Sequence, residues 1–112
     1  MSSVFFNSEI KRVLDTLLLP IEIVSPGKMF GYPAYYVGKK LFACVYERSV
    51  GLKVPADFAK KLIGTEGVTP FIPYGRRQMK EWVQLTRADP EDFFLDRAVF
   101  EQSIKYAASL KQ

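Results

Sequence analysis

Gly38-Lys39-Lys40-Leu41-Phe42-Ala43-Cys44-Val45-Tyr46-Glu47-Arg48-Ser49-Val50-Gly51-Leu52-Lys53-Val54-Pro55 is the stretch whose reading decides the fold. Leu41 to Tyr46 is an unbroken apolar run of strand length. Simple alternation puts Leu41, Ala43 and Val45 on one face and Phe42, Cys44 and Tyr46 on the other, so both faces are apolar and the strand is expected at the centre of a sheet. Glu47-Arg48-Ser49 reads as a polar turn. Val50, Leu52 and Val54 then alternate with Gly51 and Lys53, the pattern of a strand with one buried face. Pro55 lacks the N–H a ladder needs and closes it.

Outward from this pair, Gly38-Lys39 predicts a tight hairpin to an aromatic strand, Tyr32 to Val37, in which Pro33 argues for an edge or a bulge. Ser25-Pro26-Gly27 reads as a turn after a short strand, Ile21 to Val24. Phe6, Ile10, Val13, Leu14 and Leu17 recur at helical spacing. They predict an N-terminal helix capped by Ser2, Ser3 or Asn7 and ended by Pro20. On the other side, Ala56 to Ile63 predicts a short helix with Gly64 at its C-terminal boundary. Gly67 to Gln78, which contains Pro70, Pro73 and Gly75, reads as extended and irregular but lying on the domain. Met79 to Leu85 predicts a last strand. There Glu81 either turns inward toward a cation, or Trp82 marks the buried face. Asp89-Pro90-Glu91-Asp92 is a helix start, and the apolar phase slips near Asp96-Arg97, which predicts a short helical turn followed by a longer helix.

The 112 residues fit one domain, 1–112, with a single core. No apolar run approaches the ~18 residues that a membrane span requires, and no leader-like pattern opens the chain, so the cytoplasm is the expected address and no membrane partner is expected. One cysteine excludes an internal disulfide, and Cys44 is expected to be a buried, inert thiol. The chain has no histidine. That removes the commonest general base and metal ligand and every Ser-His or Cys-His nucleophile pair, and with one cysteine a zinc site would need mainly carboxylates, so no metal is expected. No cofactor and no catalytic residue is expected either.

The net charge of +4 is uneven. Residues 1–27 carry two basic and three acidic groups, residues 28–87 eleven and four, and residues 88–112 three and five. The basic middle is either an electrostatic surface for an anionic partner or a set of solubilising lysines on edges and turns. Within it, Gly75-Arg76-Arg77 is a candidate anion site, because two guanidiniums beside a flexible backbone suit a phosphate or carboxylate; the alternative is a solvated loop tip. Lys53 and Lys80 are further anion-binding candidates, and each could serve as a desolvated amine, although no second catalytic group stands beside either. Glu81 is a structural ion-pair candidate, with Lys53 or Arg77 as its partner. Six tyrosines and one tryptophan among basic residues resemble a stacking platform for nucleic acid, but without the consensus of such modules. The high aromatic load also suits self-association.

Lys28-Met29-Phe30-Gly31, Gly38-Lys39-Lys40-Leu41-Phe42-Ala43, Leu52-Lys53-Val54, Gly67-Val68-Thr69-Pro70-Phe71 and Gly75 to Trp82, in that order, resemble the N-terminal domain of the TfoX/Sxy competence-regulator family. The MmcQ/YjbR family is a more distant look-alike. The resemblance implies a two-layer α+β domain, an antiparallel sheet of about five strands covered by N-terminal, short middle and C-terminal helices, similar to secretion-chaperone-like folds. The full-length regulators add a C-terminal helical domain; this chain is expected to hold the N-terminal type of domain alone. The family offers no catalytic residues to carry over. It implies a stand-alone regulatory or adaptor module acting by protein–protein interaction, with a homodimer expected. Weak binding of nucleic acid or another polyanion through the basic middle is the alternative. An enzyme or small-ligand site built on Lys53, Arg77, Lys80 and Glu81 is the third reading, which a pocket lined by those groups would favour.

Overall fold

A computed structural model of the chain describes residues 5–73 and 78–110. Its elements are α1 (Ser8–Leu18), β1 (Val24–Met29), β2 (Tyr32–Val37), β3 (Lys40–Tyr46), β4 (Ser49–Lys53), α2 (Ala56–Leu62), β5 (Val68–Pro70), β6 (Trp82–Leu85), a 3₁₀ helix (Pro90–Asp96) and α3 (Arg97–Ser109). The six strands form one antiparallel sheet in the order β1-β2-β3-β4-β6-β5. β3 and β4 occupy the middle, as their apolar faces require. The domain is α+β, with the N-terminal, middle and C-terminal helices all on one face of the sheet.

Ile10, Val13, Leu14, Leu17 and Leu18 of α1, Ala59 of α2, Phe93 of the 3₁₀ helix and Phe100, Ile104 and Ala107 of α3 meet Tyr35, Val45, Val50, Leu52, Val83 and Leu85 of the sheet in the main core. Asn7 is the cap of α1: its side-chain oxygen accepts from the backbone N–H of Glu9 and Ile10. Phe6 therefore lies outside the helix, bridged to Glu47. The helical phase slip is real. Asp89 and Asp92 form a reciprocal capping box around Pro90, and the 3₁₀ helix it starts gives way to α3 at Arg97.

The strands differ from the sequence reading in several places, each for a physical reason. Phe42 is a bulge: Tyr35 pairs with Ala43 and Tyr36 with Leu41, leaving Phe42 between them. The extra residue turns Phe42 onto the helix-covered face with Ala43 and Val45, and leaves Leu41 with Cys44 and Tyr46 on the other. Ser25-Pro26-Gly27 is not a turn but part of β1, an edge strand where proline is tolerated. The reversal comes at Phe30-Gly31, both at positive φ, 51° and 87°. Pro33 lies in an interior strand, in the stretch of β2 that pairs with β1 alone. Residues 68–70 add a short sixth strand that their two flanking irregular segments concealed. β6 begins only at Trp82, because Lys80 and Glu81 form a turn ahead of it. Gly38, at φ 60°, makes the two-residue turn between β2 and β3.

Candidate functional site

The face of the sheet away from the helices is built on one row of small residues. Gly27 pairs with Ala34, Ala34 with Cys44, and Cys44 with Gly51, so four adjacent strands place hydrogen, methyl or thiol at the same level. The row makes a trough across the sheet, bounded on one side by Met29, Tyr32 and Tyr46 and on the other by Tyr36, Leu41, Lys53 and Trp82. Large rings fill its two ends. Tyr36 lies over Gly27 and donates its hydroxyl to the Lys28 carbonyl. Phe71, after leaving β5, folds back onto Gly51, so close that a Cβ there would sit 2.7 Å from the ring and 3.0 Å from the Cys44 sulfur.

Phe71 is the hub of a ring ladder. Tyr32 meets Tyr46 at 4.9 Å between centroids, Tyr46 meets Phe71 edge-on at 5.4 Å, and Phe71 meets Trp82 at 5.7 Å. Beyond Trp82 the ladder ends in charge. Lys53 Nζ stands 5.6 Å from the Trp82 ring centroid and 3.1 Å from Glu81 Oε1. Glu81 thus points neither into the core nor away from a partner. Its carboxyl, 43% exposed, is held below the ordinary carboxylate range, first by the hydrogen bond from Lys53 and further by one from Tyr106.

Between these rings lies a cavity of about 490 Å³, lined by Met29, Phe30, Leu41, Phe71, Pro73, Met79 and Trp82. Every described lining side chain is apolar or aromatic. Phe30, at the tip of the β1–β2 turn, is 77% exposed and forms one lip. Trp82, the only tryptophan, forms the far wall and is 8% exposed. Such a site can take a bulky apolar group; its described lining residues offer few polar atoms to orient a polar metabolite.

Of the residues singled out in the sequence, Lys53 and Glu81 meet beside Trp82, on the cavity's far side. Lys80 is exposed and lines a second, smaller cavity of about 320 Å³ with Ala56, Ala59, Lys60, Ile63 and Gln78. No element brings Lys80 into the apolar cavity. Arg76 and Arg77 lie outside the described residues. Cys44 is fully buried under Phe71, and burial pushes its thiol up to about 12. Among the described residues no cluster of three or more His, Cys, Asp or Glu side chains could hold a metal, and no helix is long and apolar enough to cross a membrane.

Of the seven described lining residues only Trp82 was singled out in the sequence, as a buried-face or stacking ring; the seven come from four separate stretches. The usable signal was the set Gly27, Ala34, Cys44 and Gly51, whose alignment appears only once the register is known. Compared with protein-family models, with curated proteins and with solved structures, the chain matches none.

Proposed function

We propose that this chain is a non-catalytic binding module, of the TfoX N-terminal type, that acts by taking bulky apolar side chains of a protein partner into the groove between Phe30 and Trp82. The single observation that supports this reading is the predominantly apolar cavity, among the described residues, on the sheet face opposite the described helices. A surface that keeps Phe30 so exposed costs solubility, and such patches are retained where they bind. Two methionines, Met29 and Met79, give the walls the adaptability common at protein-binding surfaces. Nucleic-acid bases are served less well. Their hydrogen-bonding edges would lose water inside a cavity whose described lining is predominantly apolar. An enzymatic reading through Lys53, Lys80 and Glu81 lacks a shared pocket, since Lys53 is committed to Glu81 and Lys80 faces elsewhere. Cytoplasmic action is part of the proposal, as a lone buried thiol suits a reducing compartment.

The test compares wild type with Phe30→Glu as baits against a lysate, with light scattering on each to report self-association. The expected outcome is a defined partner, or a second copy of the chain, held by wild type and lost from Phe30→Glu while the fold remains intact by circular dichroism. Retention of the same partners by both proteins would overturn the groove as the binding surface.

A further inference from the structure

The smaller cavity, where α2 meets the segment ahead of β6, has a composition unlike the groove. Ala56, Ala59, Lys60 and Ile63 recur at i, i+3, i+4 and i+7, one stripe of α2, and line it together with Gln78 and Lys80. Its volume of about 320 Å³ falls at the lower end of the ~300–1,000 Å³ usual for small-molecule pockets. Ala56, Ala59 and Ile63 supply an apolar floor, kept open by the shortness of the two alanines. Lys60, Gln78 and Lys80 are exposed and supply two ammonium groups and an amide donor. No acid is among the described lining residues. Asp57 lies off the stripe on α2, and Glu81, which follows Lys80, is tied to Lys53 at 3.1 Å. Among the described residues neither Lys60 nor Lys80 has a salt-bridge partner. Two cations therefore share one apolar hollow with no carboxylate in it.

We propose that this second cavity binds a small organic carboxylate, one anionic head on a compact apolar body. The head meets Lys60 and Lys80 at the rim, with the Gln78 amide as a further donor, and the body displaces water from the stripe of Ala56, Ala59 and Ile63. Both halves of the ligand are needed. A neutral molecule forfeits the two ammonium groups, and a cation is repelled by them. A bare inorganic anion gains nothing from the alanine floor and gives up hydration over it. The ammonium groups are exposed, so each contributes weakly and is screened by salt; the apolar body must carry the rest of the affinity. The site stands apart from the groove. Met79, between Gln78 and Lys80 in the chain, lines the groove instead, so residues 78–80 form a wall common to the two cavities.

The probes are benzoate and hexanoate, with benzamide as the neutral twin of benzoate and inorganic phosphate as a head without a body. Each is titrated into the full chain at low salt and followed by backbone amide chemical shifts. At least one carboxylate is expected to shift Ala59, Lys60, Ile63, Gln78 and Lys80 saturably. Benzamide should bind about fivefold to tenfold more weakly than benzoate, and the gap should close as salt rises. Lys60→Glu combined with Lys80→Glu should erase the preference for benzoate over benzamide, with the fold intact by circular dichroism because both side chains are exposed. Lys60→Arg combined with Lys80→Arg should keep it. Ala56→Leu, which fills the floor, should weaken both compounds alike. Benzamide binding as tightly as benzoate, phosphate binding as tightly as the carboxylates, or no saturable shift with either carboxylate would each overturn the proposal. Shifts centred on Phe30 and Leu41 would also overturn it, by placing the probe in the groove. None of these failures touches the groove reading, which Phe30→Glu tests separately.

Discussion

Phe30 and Glu47 hold φ at 51° and 56°, a region that costs a side-chain-bearing residue roughly 1 kcal/mol. Each is the first residue of a two-residue turn, where Asn or Gly is the unstrained choice. Phe30→Asn and Glu47→Asn should therefore each raise stability by about 0.5–1 kcal/mol, measured by urea denaturation. Their effects on binding should part: Phe30→Asn removes the groove's lip and weakens the partner, whereas Glu47→Asn leaves it unchanged. Strain at Phe30 with no binding role would show as two variants that behave alike. The sequence reading put the turn at Ser25-Pro26-Gly27 instead, and gave no reason to place an aromatic ring at positive φ beside Gly31, since Phe is not a residue that such turns select. The buried Cys44 was legible, because an apolar run of both phases leaves a small side chain in it no solvent-facing side. Native protein should resist thiol reagents at neutral pH, with reaction appearing only as the domain unfolds.

At the scale of elements, Phe71 is a clamp laid over β4. Gly51→Ala would drive a methyl group into the Phe71 ring and the Cys44 sulfur, neither of which can move without opening the ring ladder. The expected cost is about 1–3 kcal/mol, accompanied by a change in Trp82 emission. A second clamp closes the other end of the sheet. Arg87, just past β6, donates from Nε to Asp96 Oδ2 at 2.9 Å, from one terminal nitrogen to Asp96 Oδ1 at 2.8 Å, and from the other to the Glu66 carbonyl at 2.7 Å. This fork ties β6, the 3₁₀ helix and the turn before β5 together. Both side chains are largely buried, so Arg87→Ala should cost about 3 kcal/mol and Arg87→Lys should recover only part, because an ammonium cannot span both oxygens and the carbonyl. Helices and central strands were readable because their periodicity repeats over many residues. β5, three residues long and ending in proline, has no period to read, and it exists only because β6 offers it a ladder. The bulge at Phe42 was hidden for a related reason: a bulge breaks the two-residue alternation that sequence reading assumes, and here both phases were apolar.

For the whole molecule, two groups of titrating residues bound the pH range. Burial first, and then the Asp15 carboxylate 2.6 Å away, raise the Tyr35 hydroxyl well above an ordinary phenol. A folded-state pKa above the unfolded one means that the stability gained from the protonated group is complete below the unfolded value, about 10 for tyrosine and 8.5 for cysteine, and is lost as pH climbs toward the folded value. Cys44 has the same sign. Stability should therefore fall above about pH 9, and Cys44→Ala with Tyr35→Phe should flatten that limb even where it lowers stability at neutral pH. Glu81 has the opposite sign: its lowered pKa contributes above the ordinary carboxylate range and is lost as pH falls through its folded value. Glu81→Gln should leave a shallower acid limb, by a small amount because the pair is half open to water.

The sheet order has a temporal consequence. β6 runs antiparallel to both β4 and β5, so those two lie parallel with a strand-wide space between them that residues 82–85 alone fill. During synthesis that space stays vacant until the chain has passed Leu85, and a nascent protein halted short of Trp82 presents the unpaired edge of β4 to whatever extended peptide arrives first. A synthetic segment carrying residues 82–110, which supplies β6 together with Phe93, Phe100 and Ile104 of the main core, should dock onto a chain truncated at Glu81 and restore its solubility.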